Sequence, residues 1–88
     1  MRGIYWRPEA WDSYAELQQQ KQIIKRVNTL IKDIQRNGYD CSYGKLEKLR
    51  NIFSGLASVR IDKKNRIVFR VEDSQVDIFE CGGHYGDH

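Results

Sequence analysis

Cysteine is scarce. The chain has two, Cys41 and Cys81, with no Cys-x-x-Cys spacing, so neither a zinc knuckle nor a dithiol redox motif is expected and the two read as reduced thiols. Histidine is as rare, His84 and His88 only, and no cluster of Asp and Glu stands where a hard cation could be caged, so no metal and no cofactor is expected. No apolar run approaches the roughly 18 residues a membrane span requires, and Met1–Trp6 lacks an apolar signal core; the expectation is a cytoplasmic protein without a membrane partner. There is one proline, Pro8, and no repeat, linker or low-complexity stretch. At 88 residues the chain can bury only one core, so residues 1–88 read as a single domain.

Charge is present and unevenly placed. The net charge is +3, which alone says little. Between Lys21 and Arg70, however, stand thirteen Lys or Arg against four acidic residues, Asp33, Asp40, Glu47 and Asp62. That segment is the basic surface, suited to an acidic partner such as RNA or an acidic protein.

The hydrophobic period changes once. Ile4-Tyr5-Trp6 reads as a short strand. Pro8 suits a first helical turn, with Glu9 and Asp12 near its positive end, and Trp11, Tyr14 and Leu17 follow at helical spacing. A second helix runs from about Gln20, with Ile23, Val27, Leu30 and Ile34 as its stripe and Asn37-Gly38 as its stop. From Ala57 the period becomes two: Val59 and Ile61, a turn at Lys63-Lys64-Asn65, then Ile67, Phe69 and Val71, a turn at Glu72-Asp73-Ser74, and Val76 and Ile78. The expected fold is α+β, two N-terminal helices packed on one face of a small antiparallel sheet.

Strand parity then isolates a pair. If Ile61 and Ile67 face the helices across an ordinary hairpin, Arg60 and Arg66 share the opposite face. Like charges on neighbouring strands repel, and an anion between them would explain the pair, because the guanidinium fork matches phosphate; a solvated basic face is the plainer alternative. Glu47 is flanked by Lys45, Lys48 and Arg50, which would hold a carboxylate ionised. His84 and Tyr85 close the set. RNA cleavage needs these types: a base for the 2′-hydroxyl, cationic donors for the pentavalent phosphorane, and an acid for the leaving 5′-oxygen.

The pieces Glu9-Ala10-Trp11-Asp12-Ser13-Tyr14, Leu30-Ile31-Lys32-Asp33-Ile34-Gln35-Arg36, Lys45-Leu46-Glu47-Lys48-Leu49, Ser54-Gly55-Leu56-Ala57-Ser58-Val59-Arg60-Ile61, Asn65-Arg66-Ile67-Val68-Phe69 and His84-Tyr85 resemble the YoeB/Txe group of the RelE superfamily of bacterial toxins, nearly end to end. The resemblance implies the microbial-ribonuclease-like fold of that group and the activity of an mRNA interferase: a metal-independent endoribonuclease that cuts mRNA in the ribosomal A site and stops translation. It implies Glu47 as base, Arg66 and Arg60 on the phosphate, His84 and Tyr85 as the C-terminal catalytic pair, and Lys45, Lys48 and Arg50 as further RNA contacts. Its implied partners are a YefM/Axe-type antitoxin, the 70S ribosome and mRNA, operator DNA only through the antitoxin complex, and a second copy of the chain as a homodimer. The basic side of the second helix, Lys21, Lys25, Lys32 and Arg36, would dock on rRNA. Two same-fold alternatives stay open: a non-enzymatic ParE-like toxin or antitoxin-binding protein, and a ribonuclease that needs no ribosome. The chain differs from the group's pattern at Leu46 and Lys48, where two prolines are usual, at Val59, where an arginine is usual, and at Gly82-Gly83 and Gly86-Asp87-His88 around the His-Tyr pair.

Overall fold

The computed structural model describes residues 1–50 and 55–83. In chain order it comprises β1 (Gly3–Trp6), α1 (Pro8–Leu17), α2 (Lys21–Asn37), a 3-10 turn (Gly38–Asp40), β2 (Glu47–Lys48), β3 (Ala57–Arg60), β4 (Arg66–Val71) and β5 (Gln75–Gly83). None of these helices is long and apolar enough to cross a membrane.

The five strands form one sheet in the order β1-β5-β4-β3-β2. β2 to β5 are antiparallel neighbours, whereas β1 lies parallel to β5, with Ile4 opposite Val76 and Trp6 opposite Ile78. The sheet is therefore mixed, which corrects the expectation of an antiparallel one. The reason is topological: α1 and α2 intervene after β1, and a chain that returns through a crossover can bring its first strand alongside in parallel. A four-residue apolar run carries no information about its partner.

Both helices lie on the face made by Val59, Ile61, Ile67, Phe69, Val76, Ile78 and Cys81. Against it α1 buries Ala10, and α2 buries Val27, Leu30, Ile31 and Ile34. Pro8 opens α1 at its first turn with Glu9 beside it. Trp11, placed by its spacing on the apolar side, stays 51% exposed; it instead meets Trp6 edge-on at 5.8 Å, and Tyr14 packs on Trp6 at 4.6 Å. Gly38 ends α2 at φ 58°, in the left-handed region where a side chain is strained. Tyr39 then ties the turn at Gly55 to the end of β4: its hydroxyl donates to the Gly55 carbonyl at 2.9 Å and accepts from the Val71 N–H at 3.0 Å. The turn at Lys63-Lys64-Asn65 forms as expected, closed by the Asp62 carboxylate, which accepts from the Lys64 and Asn65 N–H groups at 2.8 and 2.7 Å.

The face away from the helices is less open than alternation implies. Ser58, Val68 and Asp77 on it are all buried. Long arginine side chains lie along this surface: Arg66 reaches Ser58 Oγ at 3.2 Å, and Arg70 reaches the Asp77 carboxylate at 2.8 Å. Arginine stems covering polar groups while their heads stay wet is the expected behaviour of such side chains.

Candidate functional site

The β3–β4 register sets Arg60 directly opposite Arg66, so the two share the face away from the helices. β2, not foreseen as a strand, adds the third group. Glu47 is paired with Ser58, which puts its side chain on the same face, and its Oε1 accepts from Arg66 Nη1 at 2.8 Å. Arg66 is the more enclosed partner, its side chain 23% exposed against 62% for Glu47. Half-burial and the second contact to Ser58 fix its guanidinium. The other strand edge converges here too: Gly83, which precedes His84 in the chain, is the register partner of Arg66 on β5. His84 and Tyr85 themselves lie outside the described residues.

The Lys48 ammonium lies 5.3 Å from the centre of the Tyr39 ring, and Lys48 also lines an open depression beside Glu47. The carboxylate is held by Arg66, nineteen residues away in sequence, rather than by its neighbours. Arg50 lies beyond β2 and lines, with Glu47, the same depression, of about 580 Å³. Lys45 stands before β2 at φ 54° and joins Arg60 in a separate cleft of about 360 Å³ between α2 and the end of β3. Lys21, Lys25, Lys32 and Arg36 are all exposed along α2.

Sequence reasoning missed the group that builds this approach. Asp33, 8% exposed, accepts from the Ser42 and Tyr43 N–H groups at 2.9 and 3.0 Å through one oxygen and from Asn37 Nδ2 at 2.7 Å through the other. Burial opposes its charge, yet the hydrogen bonds from Tyr43, Asn37 and Ser42 outweigh it and hold the carboxyl below its usual range. The signal was present: Asp33 falls three residues after Leu30 and one before Ile34, on the buried stripe, where an acid needs donors. Also unforeseen is the Arg70–Asp77 pair. Burial raises the Asp77 carboxyl, but hydrogen bonds from Arg70 and Gln75 and the nearby charges of Arg70 and Arg7 bring it below the ordinary value.

Solved structures with this architecture define its class. The chain superposes with a TM-score of 0.87 on a YoeB-YefM toxin-antitoxin complex from Staphylococcus aureus, at 37% identity, with 97% of this chain and 99% of that chain covered. It also superposes with a TM-score of 0.87 on a YoeB dimer from the same organism, at 38% identity over 96% of this chain and 98% of that one. The class is that of the toxin half of a bacterial type II toxin–antitoxin system. Residues 6–85 match the family described as YoeB-like toxin of bacterial type II toxin-antitoxin system. The Toxin YoeB of Escherichia coli strain K12 is 39% identical over 83 residues, spanning 93% of this chain and 98% of that protein. The chain belongs to the YoeB-like toxin family.

Proposed function

We propose that this toxin is a ribosome-dependent, metal-independent endoribonuclease that cuts mRNA in the A site of the cytoplasmic 70S ribosome. The carrying observation is the convergence on one sheet face of a carboxylate, Glu47, hydrogen-bonded to Arg66 with Arg60 directly across. In the proposed reaction Glu47 takes the proton of the attacking 2′-hydroxyl. Arg66 and Arg60 hold the non-bridging oxygens as charge builds on the phosphorane. His84, adjoining the residue paired with Arg66, protonates the departing 5′-oxygen, with Tyr85 as its neighbour in that task. The products are a 2′,3′-cyclic phosphate and a 5′-hydroxyl. Every proton and charge task has a side chain, so no cofactor is called upon.

Lys45, Lys48 and Arg50 are proposed as RNA contacts, and the exposed Lys21, Lys25, Lys32 and Arg36 as a face for rRNA. A YefM/Axe-type antitoxin is the proposed inhibitor, by analogy with the Staphylococcus aureus complex, with operator DNA reached only through that complex. A homodimer follows by the same analogy from the solved dimer.

The test is cleavage of an mRNA on programmed ribosomes, beside the same mRNA alone, with the new ends identified. Cleavage only with ribosomes, leaving a cyclic phosphate, is expected. Equal cleavage without ribosomes would assign a free ribonuclease, and none under either condition would leave a non-enzymatic toxin.

A further inference from the structure

Apart from Arg60 itself, the cleft beside Arg60 takes no part in the chemistry just proposed, yet its lining gathers further basic side chains. It has a volume of about 360 Å³, within the range of small-ligand sites, and its lining includes Arg26, Tyr43, Lys45, Arg60, Asp62 and Lys63. Four cations thus face one carboxylate, and Asp62 is engaged by the N–H groups of Lys64 and Asn65. Tyr43 stands at the rim with 53% of its surface exposed. The ring also borders a second cleft, of about 410 Å³, that holds Lys32 and Arg36. A basic track therefore runs from Arg66 through Arg60 to α2, with one aromatic ridge across it.

The ridge is built rigidly. Asp33 clamps the N–H groups of Ser42 and Tyr43, and the Gly44 carbonyl accepts from the Arg60 N–H at 2.7 Å. Gly44 sits at φ 80°, and a Cβ there would come within 2.9 Å of both Leu30 and Val59, so the loop is pressed against the core. Lys45 continues in the left-handed region at φ 54°. An exposed aromatic ring carried on a fixed backbone, between two groups of cations, is the arrangement by which single-stranded nucleic acid is held: bases stack on the ring and phosphates follow the charges.

We propose that this cleft binds the nucleotide flanking the cut linkage of a single-stranded RNA, its base stacked on Tyr43 and its phosphate held by Arg26 and Lys63. This rests on the endoribonuclease reading, because Arg60 is shared between the cleft and the proposed catalytic face. Tyr43 then acts as a positioning residue for the strand.

The test uses the full chain and a hexaribonucleotide blocked by 2′-O-methyl groups. Binding is followed by NMR, which registers even millimolar affinity. Oligomers carrying an abasic residue at each position in turn are compared with the intact one. In the parent, one abasic position is expected to weaken binding about tenfold, the scale of a single missing stack. Tyr43→Ala should lose that discrimination and Tyr43→Phe should keep it. Shifts should centre on Tyr43, Arg26 and Lys63. No RNA-dependent shifts there, equal discrimination in Tyr43→Ala, or a response to an acidic peptide but not to RNA would overturn the proposal. Programmed-ribosome cleavage by the same variants separates the two readings. A parent that cleaves while Tyr43→Ala matches it in both KM and RNA discrimination sinks the cleft alone. A parent that never cleaves, yet shows the Tyr43-dependent discrimination, sinks the enzyme reading alone.

Discussion

Replacing Asp33 tests whether a buried carboxylate, rather than the sequence around Glu47, holds the approach to the site in place. Three hydrogen bonds end on it, at 2.7, 2.9 and 3.0 Å. Bonds to a charged group contribute about 1.5–3 kcal/mol each, but the donors Asn37, Ser42 and Tyr43 are exposed residues, and water replaces part of what the substitution removes. Asp33→Ala should therefore cost about 2–4 kcal/mol, near the value of one to two full bonds. Asp33→Asn keeps the shape, can still accept from both backbone N–H groups, and should cost about 1–2 kcal/mol through loss of charge. In a chain of this size each kcal/mol moves Tm by roughly 4–8 °C. The pH dependence has a definite sign. Because the folded carboxyl titrates below its usual range, its contribution is complete above the unfolded value near 3.9 and disappears as pH falls through the folded value. The gap between parent and Asp33→Asn should thus be full at pH 7 and close in strong acid. Urea unfolding from pH 7 to about pH 2.5 measures it. The Asp77 carboxyl, also lowered, titrates in both proteins and cancels in the difference. Asp33→Ala within about 0.5 kcal/mol of the parent at pH 7, the scatter of ordinary surface changes, would refute the clamp.

Arg66→Ala, folded as judged by circular dichroism, should lower cleavage on ribosomes by about 100–1000-fold, and Arg66→Lys should recover little because an ammonium cannot make the forked contact; near-parental single-turnover rates for either would remove Arg66 from the phosphate. Neutralising Lys21, Lys25 and Lys32 together should flatten the salt dependence of ribosome co-sedimentation by about one unit of slope for each phosphate no longer neutralised, and an unchanged slope would mean that this side of α2 is only solvated. Burial pushes the Cys81 thiol up to about 12 and raises Cys41 as well, with help from the nearby Asp33 charge, so a disulfide-exchange reagent should label neither in the native protein at pH 8 and both in urea; rapid native labelling would contradict this packing.

Much of the fold was written in periodicity. The α2 stripe, the Gly38 stop and the β3–β4 hairpin follow from local spacing, and with the hairpin came the Arg60–Arg66 juxtaposition, since parity across a short turn is a local property. What sequence could not supply was long-range. Nothing in Glu47-Lys48 marks a strand two residues long, because its pairing with Ser58 and Ala57 is decided across the intervening loop. That pairing gives Glu47 to Arg66. The parallel seating of β1 was hidden for the same reason. Tyr43 was passed over because an aromatic residue in a loop has no period to belong to; its place depends on Asp33, ten residues earlier.

The seating of β5 bears on when the toxin becomes dangerous. This last described strand is not at the edge of the sheet but between β1 and β4, and among the described residues β1 has no other strand beside it. A nascent chain that has made both helices and the β3–β4 hairpin still lacks the strand on which β1 lies, and the register partner of Arg66, Gly83, has yet to be synthesised. Pairings that close the first strand against the last are costly in loop entropy and slow to form. A chain ending before Gln75 would accordingly lack the strand that joins β1 to β4, and the sheet that carries Arg66 and Glu47 would close in a single late step.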